Sequence, residues 1–190
     1  MIETLLKYDT ELFLYLNNLG NTTWDGFWLF ITEKWSSIPL YVILLYLLFK
    51  HFGWKATLVI AIGAALMITV TDQLANLFKH GFLRPRPCQV EELKASIRYI
   101  ANGCGRYGYF SAHASSSMAA AVYLGLILRK FYYYIPFLLL LWAVVTAYSR
   151  IYLGVHYPLD VITGMAIGAL IGLLFVFLQK KVRLKFLPKN

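Results

Sequence analysis

The feature that most constrains this chain is the recurrence of apolar runs close to membrane length. "IPLYVILLYLLF", "ATLVIAIGAALMITV", "MAAAVYLGLIL", "IPFLLLLWAVVTAY" and "VITGMAIGALIGLLFVFL" follow one another between short polar breaks. A helix needs about 20 mostly apolar residues to cross the hydrocarbon core of a bilayer. The chain is 59% hydrophobic and 14% charged, with a mean hydropathy of +0.61. A soluble domain carries about a quarter of charged residues. The expected fold is all-α: one integral membrane domain over 1–190, a bundle of five to six transmembrane helices. Five spans are firm, and "WDGFWLFITEKW", within 22–35, is short for a sixth. Residues 4–18, "TLLKYDTELFLYLNN", read as a helix lying in the interface plane. A basic n-region followed by an apolar run and a cleavage site is missing at the start, so no cleavable signal peptide is expected.

The net charge of +9 raises nucleic acid as a partner, but the cations sit where membrane topology wants them. "KHFGWK", "RKFYYY" and "QKKVRLKFLPKN" flank span ends, as the positive-inside rule requires of cytoplasmic segments. Residues 80–111 and 151–158 then face outside. Their side of the membrane is nevertheless rich in cations: Lys79, Arg84, Arg86, Lys94, Arg98 and Arg106. Cations against the topological bias suggest an anionic substrate. The partners expected are a lipid phosphate and the bilayer, with no nucleic acid and no obligate protein partner.

Three polar clusters fall at the outer ends of spans, where each charge costs free energy unless it is paired or hydrated. In "DQLANLFKHGFLRPRP", Asp72, Asn76 and Lys79 share one helical stripe. Arg86 follows, its backbone stiffened by Pro85 and Pro87; a snorkelling lysine and a basic juxtamembrane loop would give the same pattern. In "YFSAHASSSMAAAVYL", Ser111 is a plausible N-cap. The first N–H groups of the helix it opens lack intrahelical partners and form an anion site, with His113 beside it. In "SRIYLGVHYPLD", Arg150 ends one span and Pro158 suits the first turn of the next. His156 and Asp160, four residues apart, come to the same side of that turn. A carboxylate on one ring nitrogen leaves the other basic and aimed, although a purely structural pair would look the same. Taken together, Lys79, Arg86, Arg150 and a ring of amides match the charge of a phosphoryl group. Two histidines suit a displacement that needs a nucleophile and a proton donor.

These residues resemble the motifs of the type 2 phosphatidic acid phosphatase superfamily, which also contains vanadium haloperoxidases. "KHGFLRPRP" is similar to its K-x6-RP motif, "FSAH" to P-S-G-H, and "SRIYLGVHYPLD" to S-R-x5-H-x3-D. The resemblance covers residues 79–160. It implies a metal-independent hydrolase without cofactor, acting on a lipid phosphate or diphosphate through a phosphohistidine. By motif position, His156 would be the nucleophile, Asp160 its orienting partner and His113 the general acid. Lys79, Arg86, Ser111, Ala112 and Arg150 would hold the phosphate. Phe110 and Ala112 depart from the motif's Pro and Gly, which puts the amide geometry there in question. The membrane spans favour the lipid phosphatase branch in a bacterial inner membrane, with the site facing the periplasm or exterior. An undecaprenyl diphosphate, a glycerolipid phosphate or a lipid A phosphate would each place an anion at this site; the head group expected is a polyprenyl diphosphate or a glycerolipid phosphate. An anion or lipid transporter, or a lipid-binding protein without hydrolysis, is the competing reading. It would call for polar residues through the bilayer, and the middles of the last three spans lack charges. Cys88 and Cys104, in the outer loop, are candidates for a disulfide.

Overall fold

The computed structural model describes residues 1–186; the last four residues of the basic C-terminal run, 187–190, lie outside the described residues. Among the described residues the regular structure is helical: α1 (Ile2–Asn18), α2 (Thr22–Thr32), α3 (Ile38–Phe82), α4 (Ala112–Leu128), α5 (Ile135–Tyr152) and α6 (Pro158–Phe186). Segments within α3, α5 and α6 are long and apolar enough to cross a membrane, and α4, at 17 residues, is an apolar helix just short of that length.

The 45 residues of α3 do not form one rod. Gly53 has φ +69° and ψ 175°, a conformation that glycine adopts without steric cost. Tyr41 and Asp72 would lie about 46 Å apart along a straight helix at 1.5 Å per residue, yet both line the same cavity. The helix therefore folds back on itself at Gly53, and 38–52 and 54–82 are antiparallel arms. The sequence suggests a six-residue polar loop, "KHFGWK", between two spans; the turn is made instead by one residue, with helix continuing to either side. Counting both arms, the described residues contain five apolar helical segments at the five expected runs, and three of the helices reach span length. Helix α2 is only 11 residues long, contains no buried residue and packs beside α5, so it adds no sixth.

Helix α4 is the centre of the bundle. Ala119, Ala120, Ala121, Tyr123, Leu124 and Leu128 are all buried, in one core with Leu48, Ile60, Met67, Leu139 and Val176 from the surrounding helices. Among the described residues, its contact with α6 is the most extensive. A Cβ placed on Gly164 would stand 2.6 Å from the Ser111 carbonyl oxygen, and one on Gly172 would stand 2.8 Å from that of Ala119. Between them, Gly168 lies against the carbonyl of Ser115. Small residues at four-residue spacing let two helices approach backbone to backbone in lipid, where dispersion and polar contacts replace the hydrophobic effect.

The turn between α4 and α5 meets the Gly53 turn: His51 stacks on Phe131 and bonds Tyr132 Oη at 3.0 Å. Lys55, Arg129, Lys130, Lys180 and Lys181 thus gather at one end of the bundle. At the opposite end, α1 is tied down by Asn17. Its fully buried amide donates to the carbonyls of Arg98, Ile151 and Tyr152 at 2.9–3.0 Å, and its oxygen accepts from Arg98 N at 2.7 Å. One side chain thereby satisfies carbonyls that the end of α5 leaves without intrahelical donors. The loop after α3 is linked by a disulfide between Cys88 and Cys104.

Candidate active site

Each polar cluster is delivered by a helix end. Helix α3 stops at Leu83, whose left-handed conformation (φ 50°, ψ 27°) turns the chain out of the last helical turn, just after Lys79. The chain then runs extended. Gly108 N donates to the Arg84 carbonyl at 2.9 Å and Arg86 N to the Arg106 carbonyl at 3.2 Å, so 84–86 is paired with the segment that leads into α4. Arg86 Nε donates to the Tyr107 carbonyl at 3.1 Å, which holds the guanidinium in place. Ser111 opens α4 with extended backbone and accepts from Ala114 N. Its own N–H donates to the Asp160 carbonyl at 3.0 Å, joining the starts of α4 and α6.

A cavity of about 520 Å³ lies at this end, and Lys79, Arg86, Ala112, His113, Arg150 and His156 are on its wall. Asp72 and Asn76 are there too, as the helical stripe requires. The three cations and His156 are all near enough to His113 to act on it electrostatically. Two of the expected residues are not on the wall. Ser111 is fully buried, its hydroxyl engaged as the helix cap, and the lining at that point comes from Ala112 and His113. Asp160, also fully buried, stands behind His156.

His156 Nδ1 is 3.3 Å from Asp160 Oδ2, which also accepts from Tyr157 N at 3.2 Å. The other carboxylate oxygen accepts from Arg84 Nη1 at 2.8 Å. Every neighbour of this carboxylate donates to it, so Nδ1 carries the proton and Nε2 keeps its lone pair. Burial pushes the His156 pKa down to about 4, with Arg86 and Arg150 lowering it further and Asp160 acting in the opposite direction. The imidazole is therefore neutral near pH 7, the state a nitrogen nucleophile needs.

Arg150 is almost entirely buried at the end of α5, and it donates to Thr32 Oγ1 at the end of α2. Among the described residues, its Nε has no hydrogen-bond partner. A buried guanidinium with an unused donor beside two histidines is arranged to receive an anion.

The surplus of cations on this side has a different explanation from the one expected. Arg84 is bound to Asp9 and Asp160, Arg98 to both oxygens of Asp25 at 3.0 Å, and Lys94 to Glu91. Arg106 lies over the Tyr107 ring. Among the described residues, Lys79, Arg86 and Arg150 reach the cavity, whereas Arg84, Lys94, Arg98 and Arg106 do not line it.

Sequence reasoning also missed part of the wall. Thr32, the last residue of α2, and Glu33 belong to the doubtful segment 22–35 and line the cavity, as do Ser37 and Tyr41 at the start of α3. A glutamate flanked by aromatic residues at an interface was the available signal. Asp9 was another: it is a carboxylate on an apolar helix, and it is only 4% exposed.

A fold of antiparallel spans with two histidines, a buried carboxylate and three cations around one cavity defines a membrane-embedded phosphatase of lipid phosphates. The chain belongs to the PAP2 superfamily, whose model matches residues 54–183. It is 39% identical to the lipid A 4'-phosphatase of Bacteroides thetaiotaomicron over 96% of this chain and 81% of that protein. It is 33% identical to the lipid A 4'-phosphatase of Porphyromonas gingivalis over 90% of this chain and 72% of that protein. Among solved structures it is similar to LpxE of Aquifex aeolicus, with a TM-score of 0.69 and 25% identity over 88% of this chain and 94% of that one. A PAP2-type phosphatidylglycerolphosphate phosphatase from Bacillus subtilis shares the fold, with a TM-score of 0.72 and 19% identity over 98% and 90% of the two chains.

Proposed function

We propose that this enzyme removes a phosphate from the head group of a membrane lipid at the extracytoplasmic face, by way of a phosphohistidine on His156. The observation that carries this reading is the His156–Asp160 pair: the free Nε2 belongs to a neutral imidazole on the wall of a cavity that also holds His113 and three cations. In the first step Nε2 attacks phosphorus and the P–O bond to the lipid breaks, its electron pair leaving with the oxygen. His113 gives that oxygen a proton. In the second, water attacks phosphorus, the P–N bond breaks back to His156, and His113 takes a proton from the water. Lys79, Arg86, Arg150 and the first amides of α4, near Ala112, stabilise the charge on the phosphoryl oxygens. The side chains doing this chemistry are nitrogen bases and cations, so the reaction is proposed to need no metal.

The orientation rests on Lys55, Arg129, Lys130, Lys180 and Lys181 at the end away from the site, which the positive-inside rule puts in the cytoplasm. The substrate favoured is a phosphorylated glycolipid of the lipid A type. Two lipid A 4'-phosphatases are among the relatives, at 39% and 33% identity. The cavity also carries Glu33, Asp72 and Asn76, which suit the hydroxyl groups of a sugar and repel a second phosphate. An undecaprenyl-diphosphatase of Sulfolobus acidocaldarius is 27% identical over 93% of this chain and 81% of that protein, which makes polyprenyl diphosphate the second candidate.

Purified enzyme should release phosphate from lipid A in EDTA faster than from polyprenyl diphosphate. Acid-labile, base-stable label from ³²P-lipid should appear on wild type and be lost in His156→Ala. A base-stable label that survives His156→Ala would move the nucleophile elsewhere; a preference for diphosphate would move the substrate.

A further inference from the structure

Outside the cavity, a buried polar cluster joins the first helix of the chain to the carboxylate behind His156. Arg84 donates from Nη1 to Asp160 Oδ1 at 2.8 Å and from Nη2 to Asp9 Oδ2 at 2.5 Å. Its guanidinium lies over the Tyr157 ring, 4.1 Å from the centroid. The second oxygen of Asp9 accepts from Leu159 N, in the first turn of α6, at 2.8 Å. Asp9 and Asp160 are 4% and 0% exposed.

Two buried carboxylates sharing one guanidinium make a poor stabilising device, because desolvating three charged groups consumes most of the Coulomb attraction between them. Desolvation raises the Asp9 pKa, and Arg84 and the Leu159 amide oppose that rise. What the cluster does supply is orientation. Asp160 receives donors from three directions: His156 and Tyr157 on one oxygen, Arg84 on the other. Without Arg84 the carboxylate stays beside Nδ1, held by Tyr157 N, but is free to rotate, and the aim of Nε2 is no longer fixed.

We propose that Arg84, held in place by Asp9, is a positioning residue for the His156–Asp160 pair, and that α1 is thereby part of the catalytic apparatus. Arg84 touches neither substrate nor the reacting nitrogen; it acts through Asp160. Partners that orient a ligand or base from behind are typically worth about 10- to 100-fold in activity. The inference rests on His156 being the nucleophile.

The charges facing His156 come from every side: Asp160 on α6, Arg84 and Arg86 from the loop, Arg150 on α5, His113 on α4, Lys79 on α3 and, one step removed, Asp9 on α1. Replacing Arg84 by Gln removes the cation that shares the Asp160 charge, so His156 becomes more basic and the acid limb of kcat/KM moves to higher pH. Replacing Asp9 by Asn removes a negative charge and cannot move the limb upward.

The test compares wild type, Arg84→Gln, Arg84→Lys and Asp9→Asn in detergent, each checked for a monodisperse elution. Arg84→Gln is expected to lose about 10- to 100-fold in kcat, to keep KM and inhibition by inorganic phosphate within about 3-fold, since Arg86, Arg150 and Lys79 are intact, and to show the raised acid limb. Arg84→Lys should recover part of kcat. Asp9→Asn should lose less than Arg84→Gln without an upward shift. An unchanged kcat in Arg84→Gln, or a loss with an unmoved limb, overturns the proposal. So does failure of both Arg84 variants to elute as folded protein, which would make the residue structural. Absence of a phosphohistidine in wild type is a separate result: it removes the proposed mechanism before any variant is compared.

Discussion

Gly108 lies against the His156–Asp160 pair so closely that a Cβ at this position would stand 3.1 Å from Asp160 Oδ2 and 3.5 Å from His156 Nδ1. The same methyl group would be 3.0 Å from Arg86 Cγ. The backbone of 105–108 thus occupies the space that a side chain would need. Gly108→Ala must push Arg86, Asp160 or both by a few tenths of an ångström. Misplacement by about 1 Å can cost about 100-fold in rate, so a shift of a few tenths is expected to cost up to about 10-fold. The expected result is a folded enzyme with depressed kcat, measured by phosphate release. A kcat equal to wild type would mean that the loop yields instead of the site.

The cations divide into those on the cavity wall and those engaged elsewhere. Arg86→Ala and Arg150→Ala should each cost about 100- to 1000-fold in kcat, the usual consequence of removing one oxyanion donor. Lys94→Ala should be nearly silent, since Lys94 is an exposed partner of Glu91. Lys130→Ala should be silent as well; that ammonium sits over Phe52 and Phe131 at the far end of the bundle. Equal losses at all four positions would replace a local site by a diffuse field.

The pH dependence follows from His156. Its pKa in the folded protein is about 4, below the ordinary imidazole value. Nε2 is therefore free above that value, and the acid limb of kcat/KM should fall near pH 4, well under the limb of an exposed histidine. The same shift acts on stability. The unfolded chain binds this proton at higher pH than the folded one, so stability falls as pH drops from the unfolded value of about 6.5 toward 4. Thermal unfolding of His156→Phe should be less sensitive to pH across that window than wild type. An acid limb above pH 6 would show that the imidazole is hydrated in the free enzyme.

His113 and His156 can be told apart with an activated substrate. An aryl phosphate leaves without needing a proton, whereas a lipid alkoxide needs one badly. His113→Ala should lose activity on lipid phosphate yet still give a burst of aryl oxide equal to one enzyme equivalent. His156→Ala should give none. The reverse pattern would exchange the two roles.

The groove between α4 and α6 offers a structural test. Gly168→Leu would force a side chain into the carbonyl of Ser115. It should prevent accumulation of folded protein, while Gly26→Leu, with open space around it, should be tolerated. Size-exclusion profiles in detergent would decide between these outcomes.

Much of the wall could be read from the chain because it depends on short-range geometry. Helical periodicity put Asp72, Asn76 and Lys79 on one stripe, a serine before an apolar run marked the start of α4, and four-residue spacing paired His156 with Asp160. The parts that could not be read depend on contacts between distant segments. Arg84 and Asp9 are 75 residues apart, and Arg98 and Asp25 are 73 apart. Counting outer cations treated these as available for an anion, when a partner elsewhere in the chain had already neutralised them. Thr32 and Glu33 escaped for a similar reason. They belong to a segment judged only by its length as a span, while their part in the site comes from where α2 docks on α5. The fold at Gly53 was hidden differently: a polar loop was expected where a single left-handed residue suffices.

The glycine contact between α4 and α6 has a consequence for how head groups can be exchanged in such enzymes. It fuses the helix that carries His113 to the helix that carries Asp160, and makes this half of the cavity a fixed jaw. The facing half, from Thr32 to Tyr41, is a short turn and the beginning of an arm, held against α5 by the Tyr41–Trp142 ring contact and the Arg150–Thr32 hydrogen bond. A new head group can be accommodated by rewriting the residues of that facing jaw other than Thr32, which holds Arg150, while the α4–α6 half keeps its geometry.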